Sequence, residues 1–334
     1  MKIAIVILNW NGAALLQQFL PSINKYSPTE IADIYVIDNN STDNSISILK
    51  EKFPEVTIIQ NDVNGGYAKG YNDGLKQIEA DYYALVNSDI EVSENWLQPV
   101  LSHFNKHPNT AIIQPKILDF KNKSMFEYAG AAGGFVDKYG YAYCRGRIFD
   151  SIEEDTNQYN NTSIFWASGA CFFVRSDVYK KLNGFDENYF AHYEEIDLCW
   201  RAQNLDYGIE FISESVVYHV GGATLNEANP KKTFLNFRNS LLTLVKNTPK
   251  KELFLIIFSR LVLDGVAGVK FLFNLKPLHT FAIVKAHFSF YAHLSAYLKI
   301  RKEIPSKRKT YFQVKSIVWS YFAKGNKTFS ELSK

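Results

Sequence analysis

The chain has 334 residues, of which 46% are hydrophobic and 21% are charged, enough to bury one large core or two smaller ones. Its three cysteines lack the spacing of metal ligands, which argues against a thiolate metal site and a disulfide scaffold. Residues 1–240 carry 20 basic and 30 acidic side chains, a balance of −10, whereas residues 241–334 carry 17 and 4, a balance of +13. This division of the net charge of +3 predicts an acidic domain over 1–240 and a basic region over 241–334.

Apolar runs alternate with helical patterns through the first part of the chain. The patterns predict strands over residues 2–8, 34–38, 56–60 and 82–86, and helices over 13–26, 44–52 and 67–78. Short connections between them indicate a parallel sheet with right-handed crossovers, the core of an αβα architecture. The first apolar run is shorter than the apolar core of a signal peptide, so we expect a cytoplasmic protein.

Three polar segments follow the predicted strands or open a predicted helix, where α/β sheets bind their ligands. Asp38 ends the second strand, and its carboxylate suits a hydrogen bond to a base or a ribose. Residues 64–74 open a helix with glycines, which suits a diphosphate at the helix N-terminus or, equally, a packing turn. Asp89 follows the fourth strand, where a carboxylate can hold a divalent cation or can stabilise a turn.

A less regular stretch over residues 111–220 follows, in which a strand is predicted over 164–174. A loop in this stretch carries Trp166, Gly169 and Ala170, and small residues behind an aromatic ring suit the binding of a sugar. Burial of Trp166 in the core is the alternative, because Trp is commonly buried.

A fourth polar segment, residues 185–201, interleaves carboxylates with aromatic residues. Its acidic side chains include Glu194, Glu195 and Asp197. Clustered carboxylates among aromatic rings raise one another's pKa, which suits a general base or a metal site.

In their order and spacing, the four segments resemble inverting nucleotide-sugar glycosyltransferases of family 2, which have the GT-A fold, a Rossmann-like αβα mixed sheet. The resemblance covers residues 1–240 and is closest to bacterial rhamnosyltransferase-like enzymes of cell-surface polysaccharide synthesis. It implies that Asp38 reads the imide edge of a uracil or thymine base in a UDP- or dTDP-type donor. The residues that it implies in donor binding are Asn9, Asn11, Asp38, Asn40, Asn64, Gly66, Lys69, Asn72, Asn87, Ser88 and Asp89.

The resemblance also implies a metal site, in which Asp89 and His219 hold Mg²⁺ or Mn²⁺ against the donor diphosphate. Two departures from the family's pattern bear on this site. Asn87 stands where the metal motif begins with Asp, which leaves Asp89 as its direct carboxylate. Tyr71 stands where some relatives carry Arg, so neutralisation of the phosphates falls to the metal, Lys69 or His219.

For catalysis, the resemblance implies that Glu195 deprotonates the acceptor hydroxyl, with Asp197 in a supporting role. The family usually has Asp at the base position, and the longer Glu side chain leaves the neighbouring Glu194 open as the base.

Together with these residues, the resemblance implies an inverting, metal-dependent transfer of a sugar from a nucleotide-sugar donor to a hydroxyl of a glycan or lipid-linked acceptor. A nucleotidyltransferase is one alternative, but residues 9–12 lack the Arg and Lys of such phosphate loops. A non-catalytic sugar-nucleotide or carbohydrate-binding module is the other, and the acidic cluster at 194–197 disfavours it. No Gly-x-Gly-x-x-Gly follows the first strand, which argues against a dinucleotide oxidoreductase.

Beyond residue 226 the pattern is helical and basic. On a helix, Arg260, Asp264, Lys270 and Asn274 fall within about 120° of one another. The broad apolar surface beside this polar stripe is built from Leu253, Phe254, Ile257, Val262, Val266 and Phe273. No uncharged apolar stretch here reaches the ~20 residues that a membrane-spanning helix needs.

We therefore expect residues 241–334 to bind an anionic membrane surface, at the inner face of the cell membrane, without spanning it. Packing of the first helix on the catalytic domain is the alternative. Nucleic acid is not an expected partner, because the acidic domain would repel it. The sequence does not indicate the oligomeric state.

Overall fold

A mixed sheet forms the centre of the molecule in a computed structural model, which describes residues 2–221, 229–304, 308 and 310–333. The strands are β1 (Ile3–Asn9), β2 (Ala32–Asp38), β3 (Thr57–Gln60), β4 (Tyr82–Asn87), β5 (Ile90–Val92), β6 (Thr110–Asp119), β7 (Gly134–Val136), β8 (Ala142–Cys144), β9 (Arg147–Ile148), β10 (Ser151–Ile152), β11 (Thr162–Ser163), β12 (Cys171–Arg175) and β13 (Gly208–His219). Across the described residues, the order in the large sheet is β11-β13-β6-β12-β4-β1-β2-β3, with β5 beside β13. Strands β7 to β10 form a small separate sheet.

The first four predicted strands form the parallel part of the sheet. Strand β1 lies between β2 and β4 and is parallel to both, and β3 extends the row beyond β2. The register pairs Leu8 with Asn87, and Asn9 with Asp38. The polar residues predicted at strand ends therefore stand side by side at one edge of the sheet, as the αβα prediction requires.

Two long strands complete the sheet within the stretch that the sequence indicated to be irregular. Strands β6 and β13 are parallel, and β12 runs antiparallel between β6 and β4. The end of β13 pairs His219 with Ile90, the residue that follows Asp89. Sheet pairing thus brings His219 to Asp89 although the two residues are far apart in sequence.

The strand predicted over residues 164–174 is wrong in its first part. Strand β11 ends at Ser163, β12 begins at Cys171, and the residues between them form a buried loop. Backbone hydrogen bonds join Gly134 of the small sheet to Phe165 and Trp166, while the Ile164 N–H donates to the Ile209 carbonyl of β13 at 2.9 Å, so this loop bridges the two sheets.

Helices cover the sheet and continue beyond it. They are α1 (Ala13–Tyr26), α2 (Ser45–Lys52), α3 (Gly66–Leu75), α4 (Gln98–Lys106), α5 (Ser176–Lys181), α6 (Glu194–Asn204), α7 (Pro230–Asn247), α8 (Leu253–Phe273), α9 (Pro277–Glu303) and α10 (Ile317–Phe322). Helix α1 illustrates their packing, because its buried residues Leu16, Phe19, Leu20 and Ile23 recur at the helical period.

The boundary expected at residue 240 lies inside α7, which is continuous from Pro230 to Asn247. The second half of this helix is buried against the domain, including Lys246 and Asn247. Helix α7 is therefore part of the domain's core. Among the described residues, no helix is long and apolar enough to cross a membrane.

Candidate active site

The loops that follow β1 and β2 are joined by a buried hydrogen-bond network. The Asn9 amide donates to the Asp38 carboxylate at 3.0 Å and to the Ser41 hydroxyl at 3.2 Å. The second carboxylate oxygen of Asp38 accepts the Ser41 backbone N–H at 3.0 Å. Each oxygen of a carboxylate has a second lone pair, so Asp38 retains acceptor capacity for a ligand.

The rim of this network is formed by Asn residues in left-handed conformations. Asn11 has φ of 51° and Asn40 has φ of 61°, a region that Asn tolerates better than other side chains. The side-chain oxygen of Asn11 accepts the Thr42 backbone N–H at 2.7 Å and so joins the two loops. Gly12 is required here, because a Cβ atom would lie 2.5 Å from the side-chain oxygen of Asn9.

The glycine-rich helix start at residues 64–74 has protein partners for the groups expected to bind the donor. The side-chain oxygen of Asn64 accepts the Gly66 backbone N–H at 2.9 Å. The backbone N–H groups of the next two residues both donate to the Phe190 backbone carbonyl. Lys69 pairs with Asp73 at 2.6 Å. These residues support the loops of the site, and the direct phosphate contacts expected of them are not favoured by this geometry.

Asn72 lies apart from the other predicted donor-binding residues. Its side-chain NH₂ group donates to the Phe185 backbone carbonyl at 2.9 Å, and its side-chain oxygen accepts from the Tyr179 hydroxyl at 2.7 Å. It lines a different cleft, of about 630 Å³, together with Arg201 and Lys246. The prediction of donor contact for Asn72 is therefore corrected: its side chain ties α3 to the segment before α6.

The predicted metal ligands face each other in a buried position. The Nε2 atom of His219 lies 3.1 Å from a carboxylate oxygen of Asp89, and Nδ1 lies 3.3 Å from Glu127. Burial favours the neutral imidazole, but the two carboxylates outweigh it and raise the pKa of His219 to about 10. An imidazolium therefore balances the two carboxylates when no other cation is present.

The separation of Asp89 and His219 fits a divalent cation. Two ligands held about 2.1 Å from a metal at right angles lie roughly 3 Å apart, the spacing of this oxygen and nitrogen. Glu127 stands behind the imidazole, where a carboxylate orients a ligating His. Within the described ranges, no three His, Cys, Asp or Glu side chains are grouped to hold a metal. A donor diphosphate and water would supply further oxygen ligands.

Glu194 and Glu195 open α6, and each has a buried carboxylate oxygen without a hydrogen-bond partner. Burial raises the pKa of Glu195 to about 7. Burial, together with the neighbouring Glu195 charge, raises the pKa of Glu194 well above its ordinary value. Glu194 is the more deeply buried of the two. Both carboxyls therefore hold a proton more readily than an ordinary Glu side chain, and Glu195 titrates near neutral pH.

A chain of contacts connects the carboxylate pair to the metal pair. Glu195 lies against Gly169, whose carbonyl accepts the Tyr67 hydroxyl at 2.7 Å. The preceding residue, Ser168, donates to the Ala129 carbonyl at 2.6 Å. The Ala129 N–H donates in turn to Glu127 beside His219. Two of the loop residues expected to contact the sugar take part: Gly169 directly, and Ala170 by accepting the Asn87 N–H at 2.9 Å.

Trp166 does not face this site. Its side chain is buried in the core and its indole N–H donates to the Phe135 carbonyl at 2.9 Å. A Cβ atom on Gly134 would overlap the indole ring, so the ring fills the space that this glycine leaves. The sugar contact predicted for Trp166 is corrected to core packing, which was the stated alternative.

Asp197 lies in the same first turn of α6, two residues after Glu195, and both of its oxygens have partners. It accepts from Arg201 at 2.7 Å, from Lys246 at 2.9 Å and from Asn247 at 2.9 Å. Burial alone would raise its pKa, but the two cations hold the pKa of Asp197 below its ordinary range. Asp197 therefore joins α6 to α7, and its expected place among the catalytic residues is not supported.

The segment that leads into α6 holds three residues in left-handed backbone conformations: Phe190, His192 and Tyr193. Such conformations are strained for bulky side chains and persist only when their surroundings hold them. Asn239 supplies this support, because its amide donates to the carbonyls of Tyr189, Ala191 and His192.

Sequence reasoning missed Asn239 and Glu127. Asn239 lies at the end of the predicted domain, where the pattern was only indicated to be helical and basic, and Glu127 lies in the stretch indicated to be irregular. No motif marks either residue. Gly222, three residues after His219 in a segment that the resemblance to the family places at the metal and diphosphate, lies outside the described residues.

A family model agrees with this arrangement. The model described as Glycosyl transferase family 2 matches residues 4–182, more than half of the chain. The chain belongs to this family. Sugar transfer is therefore its activity, and the nucleotidyltransferase and the non-catalytic module are set aside.

Curated relatives and solved structures are similar at low identity. The N-acetylglucosaminyl-diphospho-decaprenol L-rhamnosyltransferase of Mycobacterium tuberculosis is 21% identical over 231 residues, 64% of this chain and 75% of the relative. A structure of GalNAc-T7 with UDP, GalNAc and Mn²⁺ matches 90% of this chain and 58% of that chain, with a TM-score of 0.61 and 13% identity.

A structure of S. aureus TarS 1-349 with UDP-GlcNAc matches 98% of this chain and 93% of that chain, with a TM-score of 0.54 and 15% identity. These likenesses confirm the predicted GT-A architecture. The GalNAc-T7 chain is considerably longer, and this chain spans under two thirds of it.

Proposed function

We propose that this glycosyltransferase moves a sugar from a UDP- or dTDP-type donor to a hydroxyl of a glycan or lipid-linked acceptor, with inversion at the anomeric carbon. The observation that carries the proposal is the placement of two chemically different pairs around connected loops. One is the Asp89–His219 pair at 3.1 Å, and the other is the Glu194–Glu195 pair with unpartnered oxygens.

In this mechanism Glu195 is the general base. Its carboxylate takes the proton of the acceptor hydroxyl, and the oxygen attacks the anomeric carbon as the bond to the diphosphate breaks. A base with a pKa near 7 is ionised for part of the time at neutral pH and still accepts a proton effectively. Glu194 lies beside it, and burial and the Glu195 charge raise the pKa of Glu194 well above its ordinary value.

Asp89 and His219 would hold a divalent cation, Mg²⁺ or Mn²⁺. A cation here would neutralise the charge that grows on the leaving nucleoside diphosphate. The Asn9–Asp38–Ser41 network supports a nucleoside site at the adjacent strand ends. The Mn²⁺ in GalNAc-T7 and the UDP-GlcNAc in TarS support the cation and a uridine donor.

The name of the mycobacterial relative includes diphospho-decaprenol, which supports a lipid-linked acceptor and a place at the inner face of the cell membrane. A role in cell-surface polysaccharide synthesis follows from the same similarity.

The test is donor binding, measured by the thermal shift that UDP- and dTDP-sugars produce with and without Mn²⁺. We expect Asp89→Ala to abolish the metal-dependent part of the shift while leaving the melting temperature of the free protein close to that of the wild type. Asp62→Ala is the matched control, because Asp62 is an exposed Asp in the loop that follows β3, another strand of the parallel part of the sheet. An Asp89→Ala variant that binds donor with unchanged metal dependence would refute the assignment.

A further inference from the structure

In the α8–α9 hairpin, residues 253–303, the Arg260–Asp264 ion pair of α8 faces the protein and large apolar side chains face outward. On α8 the buried residues are Ile256, Arg260, Asp264 and Gly268, which recur every four residues on one face. Asp264 contacts His287 of α9, and the Thr280 hydroxyl donates to the Gly268 carbonyl, so the two helices run antiparallel.

The orientation of α8 is fixed by its buried ion pair. Arg260 donates to Asp264, to the Tyr139 carbonyl at 2.8 Å and to the Ser240 hydroxyl at 2.8 Å. The Tyr141 hydroxyl donates to Asp264 at 3.2 Å. Rolling the helix to bury its apolar face would expose these partners and leave the domain's polar groups unpaired, which is costly.

The outer face of the hairpin carries large apolar side chains. Leu275, at the turn between the helices, is 89% exposed. The aromatic side chains on this face are each more than half exposed, and they are Phe254, Phe258, Phe273, Phe281, Phe288 and Tyr291. The largest apolar patch on the surface of a typical monomeric protein is roughly 300–600 Å². Larger exposed apolar patches are typical of surfaces that bind another protein or a membrane.

Basic residues accompany this apolar face. Lys270, Lys276, Lys285 and Lys299 are exposed on the hairpin, in a region with 17 basic and 4 acidic residues. We propose that the outer face of the hairpin is a docking surface for a bilayer that contains anionic lipids. The aromatic side chains enter the headgroup region, and the lysines lie at the lipid phosphates.

Charge decides between a bilayer and a second copy of the chain. Two copies that met through this face would bring together two regions with a balance of +13 each, whereas an anionic leaflet attracts them. This surface would place the proposed sugar transfer at a membrane, but none of its residues belongs to the candidate active site. Membrane binding and sugar transfer can therefore fail separately.

The experiment is flotation of the full chain with phosphatidylcholine vesicles, with and without about one third phosphatidylglycerol, because the anionic lipid supplies the attraction. Flotation separates bound protein from aggregates. We expect the wild type to float with the anionic vesicles and much less with the neutral ones. Removing three anchors in Phe273→Ser/Leu275→Ser/Phe281→Ser should weaken partitioning by roughly 100-fold or more.

Two controls sharpen the result. Val63→Ser removes an exposed apolar side chain outside the hairpin and should float like the wild type. Lys276→Glu/Lys299→Glu should weaken binding to the anionic vesicles by about tenfold or more and have little effect with neutral ones. All variants should melt like the wild type, because the changed side chains are exposed.

Three results would overturn the proposal. The first is a wild type that does not float with anionic vesicles, and the second is a triple variant that floats equally well. The third is a wild-type dimer in solution that the triple variant converts to a monomer, which would assign this face to a second copy.

Discussion

The first turn of helix α6 carries two kinds of buried carboxylate, one with hydrogen-bond partners for both oxygens and one without. The first kind has a structural role, and the second kind is suited to catalysis. Asp197 is surrounded by Arg201, Lys246 and Asn247, which satisfy both of its oxygens. Glu194 and Glu195 each keep an oxygen without a partner. A partnered carboxylate stabilises the fold, whereas an unpartnered one costs stability and is available for proton transfer.

The largest expected effect is on kcat, and it comes from changing Glu195, one of the two carboxylates that have an unpartnered oxygen. Glu195→Gln should lower kcat by roughly two to four orders of magnitude, because general base catalysis supplies about that factor. Donor affinity should be unchanged. The measurement is the release of nucleoside diphosphate with donor and acceptor present. Glu194→Gln is the matched variant, and an inactive Glu194→Gln beside an active Glu195→Gln would move the base to Glu194.

On the partnered side, Asp197→Asn should lower the free energy of unfolding by about 3 kcal/mol or more, because it leaves buried cations uncompensated. The double variant Asp197→Asn/Arg201→Met should recover part of this loss, since it removes one of those cations. Denaturant unfolding measures both. A stable but inactive Asp197→Asn enzyme would contradict the structural role and return Asp197 to the catalytic residues.

The comparison extends to the strained segment that positions the two glutamates. Asn239→Ala removes three hydrogen bonds to this segment and should cost about 2 kcal/mol of stability. It should also lower kcat more than it changes KM for the donor, because the carboxylates are displaced while the nucleoside network is intact. Asn236→Ala on the same helix is the control, and equal effects of the two variants would show that Asn239 has no special role.

The smallest effect is a pH dependence of stability. The pKa of Glu195 is about 7 in the folded protein, above its ordinary value of 4.5, so the associated stability is complete below pH 4.5 and is lost as pH rises through 7. Glu195→Gln should therefore match the wild type at acid pH and exceed it by about 1–3 kcal/mol above neutrality. Unfolding in the absence of metal checks this, and a variant that is less stable than the wild type at alkaline pH would contradict it.

The sequence was sufficient for the parallel part of the sheet and for the order of the polar segments. These features are local, because apolar runs end at Asp38 and Asp89 and the register follows from the parallel strands. The prediction was less successful where partners come from distant elements. The roles expected for Asn72 and Asp197 depended on α5 and α7 respectively, and neither contact leaves a pattern in the sequence.

The orientation of helix α8 in the C-terminal region was not predictable for the same reason, because it too depends on contacts with distant elements. The helical period predicted the polar and apolar surfaces of α8 but not which of the two packs against the domain. The buried contacts of Arg260 with Tyr139 and Ser240 decide this. The predicted polar stripe is correct at Arg260 and Asp264, which are buried, whereas Lys270 and Asn274 at its far end remain exposed.

The sequence separation of Asp89 and His219 has a consequence for folding. The pair forms when β13 is added beside β6 and β5, which are among the most distant pairings in the sheet. Such long-range pairings form slowly, because a large loop must close first. Under the proposed metal assignment, a chain still emerging from the ribosome lacks the second ligand until His219 is made. Metal affinity would then report a completed sheet, and the cation would stabilise the finished domain over any earlier intermediate.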